Sequence, residues 1–175
     1  MPAIGEPAPK FSLPDTDGVE HQPGGAPATV VIFTCNHCPY ALAWHERTVN
    51  VARDYLARGV RVLAINPNDA ERYPRDSQQA MRERVEAGEF DGVPYLRDES
   101  QDVARAYDAK TTPDIFVLDA KGVLRYRGAP DADYEDPSQR ASYLRDALDA
   151  VLAGGRSAIA ETTPIGCSIK WKQKG

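Results

Sequence analysis

The segment Thr29 to Thr34, TVVIFT, constrains the fold more than any other feature of the chain. It is β-branched and apolar almost throughout, with no polar alternation, so both faces of the strand it forms must be covered. A strand of that kind belongs in the middle of a sheet with helices on either side. The chain leaves it directly for Cys35-Asn36-His37-Cys38. From Cys38 to about Arg58, apolar residues such as Leu42, Val49, Ala52 and Leu56 fall at helical spacing, and Gly59 ends the run. Val60 to Ile65, VRVLAI, reads as a second strand. Strand, helix and strand then make a βαβ unit, whose crossover is right-handed and whose strands are parallel.

The flanking sequence fills in the layers around that unit. Phe11 to Leu13 followed by DTDG at 15–18 reads as a short N-terminal hairpin, and PGGAP at 23–27 as a loop. Helices are expected over 78–87, capped by Gly88, and over 101–107, with Ser100 as N-cap. Tyr95 and Leu96 form a short extended piece between them. Ile115 to Leu118, the turn DAKG and Val123 to Arg127 make a late hairpin, which adds antiparallel strands. GAPDADYEDPS at 128–138 reads as a solvated acidic loop, and 138–152 as an amphipathic terminal helix. The tail from 156 to 175 has no clear period. The expected architecture is one α/β domain over 1–175, with a central mixed sheet and helices on both faces.

Composition decides between function classes. The 175 residues carry 21 Lys and Arg against 26 Asp and Glu, a net charge of −5 that offers no basic footprint for nucleic acid or anionic membrane. No apolar run approaches the ~20 residues of a membrane span. The opening MPAIGEPAPKF has neither the charged nor the apolar region of a secretory signal, which leads to the expectation of a cytoplasmic protein. Three cysteines, Cys35, Cys38 and Cys167, are too few for a disulfide scaffold. Their chemistry is the better guide.

Cys35 and Cys38 form a C-x-x-C between a buried strand and a helix. The thiolate is the reactive form of cysteine, and the unpaired N–H groups at a helix N-terminus stabilise it. On this spacing Cys35 is expected at the exposed start of the helix as the nucleophile, with a lowered pKa. Cys38, one turn inside, is then the thiol that resolves the mixed disulfide. A protonated His37 would add positive charge beside the Cys35 sulfur. Two other readings compete. A zinc site needs four ligands, and no second C-x-x-C or close Cys/His pair is present, leaving only Cys167, His21 and His45 to complete one. Two inert core cysteines would fit poorly with a position after a βαβ strand. No cofactor or metal is therefore expected. Thr112-Pro113, just ahead of a strand, is the second feature; by sequence alone its peptide bond would be trans.

The C-x-x-C at a strand-to-helix junction, Thr112-Pro113 ahead of a strand and the closing helix together resemble the thioredoxin superfamily. APKFSLPDTDG, the insertion between Ile65 and Tyr95, and TPDIFVLDAKGVLRYRG resemble its redoxin branch, which holds the alkyl hydroperoxide reductase/thiol-specific antioxidant proteins and the TlpA/ResA-like reductases. FTCNHCPYA with PIGCSIKWK is similar to a bacterial subgroup often labelled peroxiredoxin-like. The resemblance implies a thioredoxin-like fold, Cys35 and Cys38 as the redox pair, and Pro113 as a cis-proline that packs beside it and, with Thr112, receives substrate backbone. It implies His37 at a site where oxidising relatives carry histidine. Departures are Thr34 in place of a tryptophan and Thr29 in place of the buried acid, which leaves the proton acceptor unassigned. CPYA at 38–41 also resembles a glutaredoxin CPYC without its second thiol.

Two activities follow from the resemblance. One is thiol–disulfide exchange with protein or small-molecule disulfides, with thioredoxin or a low-molecular-weight thiol as reductant. The other is a thiol peroxidase acting on hydroperoxides, with Thr34 and Arg127 as candidate donors to the peroxide, although the P-x-x-x-T-x-x-C spacing is absent. A third, non-enzymatic reading makes the disulfide a redox-sensing switch. Cys167, flanked by Gly166 and Ser168, is either a packing thiol in a mobile tail or a third thiol that docks near the active helix and resolves or relays.

Overall fold

Alternate residues of Ala28–Phe33 (β3) face opposite layers of the molecule, as a strand buried on both sides requires. A computed structural model describes residues 2–173. Before β3, Leu13–Pro14 (β1) and Glu20–His21 (β2) pair antiparallel as the expected hairpin. After it come helix Pro39–Tyr55 (α1), strand Arg61–Asn66 (β4), helix Gln78–Glu86 (α2), strand Tyr95–Arg97 (β5) and helix Asp102–Tyr107 (α3). The chain continues through Thr111–Thr112 (β6), Asp114–Asp119 (β7), Leu124–Gly128 (β8), helix Ser142–Leu152 (α4) and Cys167–Ser168 (β9).

The central sheet has the order β5-β4-β3-β7-β8. β3 runs parallel to β4, and β4 to β5, while β7 and β8 are antiparallel, so the sheet is mixed as the βαβ unit and late hairpin dictate. Val30 and Ile32 pack with Val51 and Tyr55 of α1 and Leu144 and Leu148 of α4. Val31 and Phe33, one residue out of step, pack on the opposite side with Ala104 and Tyr107 of α3 and the N-terminal Ile4, Phe11 and Leu13. Burial of such side chains contributes about 1.5–3 kcal/mol each, which makes this alternation the main source of the fold's stability.

Several local expectations are corrected. Helix α3 begins after Gln101, not Ser100. The Asp98 carboxylate accepts the N–H groups of Val103 and Ala104, at 3.4 and 2.8 Å, and satisfies the helix start from outside the segment. The acidic stretch after β8 is not uniformly solvated. Asp131 is fully buried, where its two oxygens accept from Arg47 Nη1 at 3.1 and 2.9 Å, and the carboxylate also takes the Trp44 indole N–H at 2.9 Å and the Ala141 N–H at 2.9 Å. It ties α1 to the start of α4. The tail contains a strand, β9, paired antiparallel with β6. Met1 and the last two residues of the expected 1–175 domain, Lys174 and Gly175, lie outside the described residues. Among the described residues, no helix is long and apolar enough to cross a membrane.

Candidate active site

Cys35 follows β3 by two residues and Cys38 is the N-cap of α1, whose first helical residue is Pro39. Proline suits that position because its missing N–H would be unpaired there anyway. The helix therefore starts after the whole C-x-x-C, and Cys38 rather than Cys35 stands at its N-terminus. Both thiols are buried, Cys35 1% and Cys38 0% exposed, so the exposed Cys35 expected from the sequence is not found. Thr112 touches both sulfurs. Its hydroxyl lies 3.2 Å from Cys35 Sγ, and its carbonyl oxygen accepts from Cys38 Sγ at 3.1 Å when that thiol is protonated. The Thr112–Pro113 peptide bond is cis.

The electrostatics invert the expected order of acidity. The hydrogen bond from the Cys35 thiol is the main influence holding Cys38 well below the ordinary thiol range. Burial opposes it, while the Cys167 thiol and the N–H groups of Ala41 and Cys167 add to it. No regular side-chain capping bond closes at this helix start. Those donors favour a negative charge on Cys38. Cys35 is pushed up, first by sharing its proton with Cys38, then by burial, with the negative charge of Asp76 acting the same way.

His37 does not supply its side chain to Cys35. Its Nδ1 lies 2.6 Å from Asp76 Oδ2 without hydrogen-bond alignment, and its ring stacks on Tyr73 at 5.5 Å. What His37 gives Cys35 is its backbone N–H. Asp76 is fully buried in a web of donors: the Asn36 N–H at 2.7 Å, and the Asn66 and Asn68 amides at 3.1 Å each. Asn36 in turn accepts from the Tyr95 hydroxyl at 2.7 Å and from Arg84 at 2.8 Å. Arg84, on α2, also reaches the Cys35 carbonyl and covers the Phe90 ring. Asp76, Tyr95 and Arg84 thus fix the loop that carries the thiols. None was legible as a site residue, because each comes from an element distant in sequence.

Cys35, His37 and Asp76 present three ligand-type atoms within 4.8 Å of one another. They make a poor zinc set. His37 Nδ1 and Asp76 Oδ2, at 2.6 Å, stand closer than two ligands of one tetrahedral zinc, about 3.3 Å apart. The Asp76 oxygens are already held by three amide groups. An open groove of about 440 Å³ borders Asn36 and His37, lined also by Leu42, Arg75 and Arg84. Thr34 is buried and donates its backbone N–H to Ile65. The Arg127 guanidinium lies over Phe116 and donates to the Asp108 carbonyl.

Two thiols at the mouth of a βαβ crossover, beside a cis-proline and under a mixed sheet, define a redoxin with a thioredoxin-like fold. The AhpC/TSA family model matches residues 4–127, and the chain belongs to that family. An uncharacterized conserved protein of Geobacillus kaustophilus is similar at 40% identity, with 100% of this chain and 95% of that one covered and a TM-score of 0.90. The thiol:disulfide interchange protein DsbE of Allochromatium vinosum is 27% identical over 133 residues, 72% of this chain and 66% of that protein. A structure described as a thiol:disulfide interchange protein DsbE, from Chlorobium tepidum, shares the fold with a TM-score of 0.68 at 20% identity, covering 86% and 99% of the two chains. The chain thus spans 66% of the Allochromatium protein's length, and the Chlorobium likeness is one of fold.

Proposed function

We propose that this protein is a thiol–disulfide oxidoreductase in which Cys38 is the attacking thiol and Cys35 the resolving one. This reverses the roles assigned from spacing alone. The observation that carries it is the N-cap position of Cys38, where the donors around its sulfur favour the thiolate. Cys38 attacks one sulfur of a substrate disulfide, forms a mixed disulfide and releases the other substrate sulfur as a thiolate. Cys35 then loses its proton to solvent and attacks the Cys38 sulfur. The Cys35–Cys38 disulfide forms, the mixed disulfide breaks, and the second substrate thiol leaves. Substrate loses its disulfide and the protein gains one. Thioredoxin or a low-molecular-weight thiol restores the pair, in a cytoplasmic setting.

The test is trapping. With insulin as the disulfide, a Cys35→Ala/Cys167→Ser protein accumulates a mixed disulfide on Cys38, identified by mass after acid quenching. Accumulation instead on Cys35 of a Cys38→Ser/Cys167→Ser protein overturns the order. The thiolate at Cys38 also favours a second reading, attack on a hydroperoxide. Against it, Arg127 is engaged by Asp108 and Phe116, with no contact to either sulfur among the described hydrogen bonds. Hydroperoxide consumption faster than insulin reduction would select the peroxidase.

A further inference from the structure

The C-terminal segment is tied down on both sides of Cys167. Upstream, Thr162 donates its N–H to the Arg127 carbonyl at 3.0 Å, and its hydroxyl accepts from the Ala129 N–H at 2.9 Å. Gly128 makes that approach possible, since a Cβ there would overlap Thr162. Downstream, Ile169 is buried and donates its N–H to Lys110, while the Lys170 carbonyl accepts from the Asp69 N–H at 2.8 Å. Between these anchors β9 pairs with β6, and Cys167 stands opposite Thr112 in the register.

Adding a strand to an exposed backbone edge is how an extended peptide is held, with main-chain bonds for affinity and the alternate side chains for specificity. The residue presented opposite Thr112 is a thiol. It packs on the Cys35–Cys38 cluster. Cys35, Cys38 and Cys167 thus form one cluster. Unlike the other two, Cys167 is only half-buried.

We propose that Cys167 is a third redox thiol, presented by β9 on the edge that a substrate strand would occupy, and that it exchanges disulfide with Cys38. The proposal rests on the exchange reading above. Starting from the oxidised pair, Cys167 loses its proton and attacks the Cys38 sulfur. The Cys35–Cys38 bond breaks, a Cys38–Cys167 bond forms, and Cys35 leaves as a thiolate that takes up a proton. One disulfide is exchanged for another, with no net oxidation. The oxidising equivalent moves from two buried sulfurs to a half-buried one, where an external dithiol reaches it more easily.

The redox state itself times this step. In the reduced protein, burial and then the hydrogen bond and charge of Cys38 push the Cys167 thiol up, to about 11. Once Cys38 is joined to Cys35 its charge is gone, and two of those three causes vanish. Cys167 then ionises more readily, at the moment when a disulfide is there to attack.

The test is disulfide mapping of the full chain, equilibrated with oxidised and reduced dithiothreitol, quenched in acid and digested without reduction. The expected result is two linked species, Cys35–Cys38 and Cys38–Cys167. A Cys35→Ser protein is expected to lose two hydrogens in mass as its Cys38–Cys167 bond closes. If the wild type forms Cys35–Cys38 alone across the whole range of dithiothreitol ratios, the relay is overturned and the exchange reading stands. If no intramolecular disulfide forms at all, the exchange reading falls and the relay with it.

Discussion

Gly166 lies directly against the carbonyl of Thr112, so close that a Cβ at position 166 would overlap the carbonyl oxygen. The same carbonyl contacts Cys38 Sγ at 3.1 Å, and the next residue, Cys167, pairs with Thr112. One backbone group thus meets both the redox pair and the segment that covers it.

Gly166→Val is therefore expected to lift β9, and Cys167 with it, off β6 while leaving Cys35 and Cys38 where they are. Backbone cannot yield as a flexible side chain does, and overpacking of this kind costs about 1–3 kcal/mol, so opening becomes roughly five- to 150-fold more frequent. The measurement is the rate of iodoacetamide labelling of Cys38 at neutral pH, followed by mass. Labelling no faster than wild type would show that the segment does not limit access.

A second prediction concerns the shared proton. The Cys35 thiol is the largest influence lowering Cys38, so Cys35→Ala should move the Cys38 titration upward, toward ordinary thiol values. Thiolate ultraviolet absorbance against pH reports this without requiring a reagent to enter the site. Wild type should hold one thiolate at neutral pH, and Cys38→Ser should remove it. A Cys35→Ala curve that coincides with wild type would mean that the helix N-terminus acts alone.

The sequence made the sheet legible and left half the site hidden, for reasons that lie in particular residues. TVVIFT announces a doubly covered strand because hydrophobic patterning is local. The redox pair is equally visible, and so is the resemblance it carries. The N-cap position of Cys38 was available too, in Pro39, whose preference for the first helical position puts the N-cap one residue earlier. Asp76 gives no such signal. Its contact with the Asn36 N–H spans 40 positions, and a polar loop such as 66–74 and its continuation reads the same whether or not it folds inward. Asp131 hides in an acidic run for the same reason. β9 is two residues long, too short for any period, and its place is set by its partner β6.

The last prediction uses a carboxyl that the chemistry leaves aside. Asp114 follows Pro113 at the start of β7 and is fully buried. One of its oxygens accepts the Lys110 N–H at 2.9 Å, and the other has no partner. Burial pushes its carboxyl up to about 7, against the Lys110 hydrogen bond and the Arg127 charge, which favour the ionised form. An unfolded aspartate titrates near ~3.9, so between that pH and about 7 the folded protein binds more protons at this position than the unfolded chain does. Stability from this group is therefore greatest in acid and falls as pH rises through that window, by on the order of a few kcal/mol in all. Asp114→Asn keeps the shape and an acceptor for Lys110 but cannot ionise. Relative to wild type it should gain stability on going from about pH 4 to about pH 8, read as the difference between the two proteins' unfolding free energies in denaturant. Because every other titrating group is common to both proteins, that difference isolates Asp114. A difference that stays constant with pH would mean that the Arg127 charge already keeps the carboxylate ionised throughout.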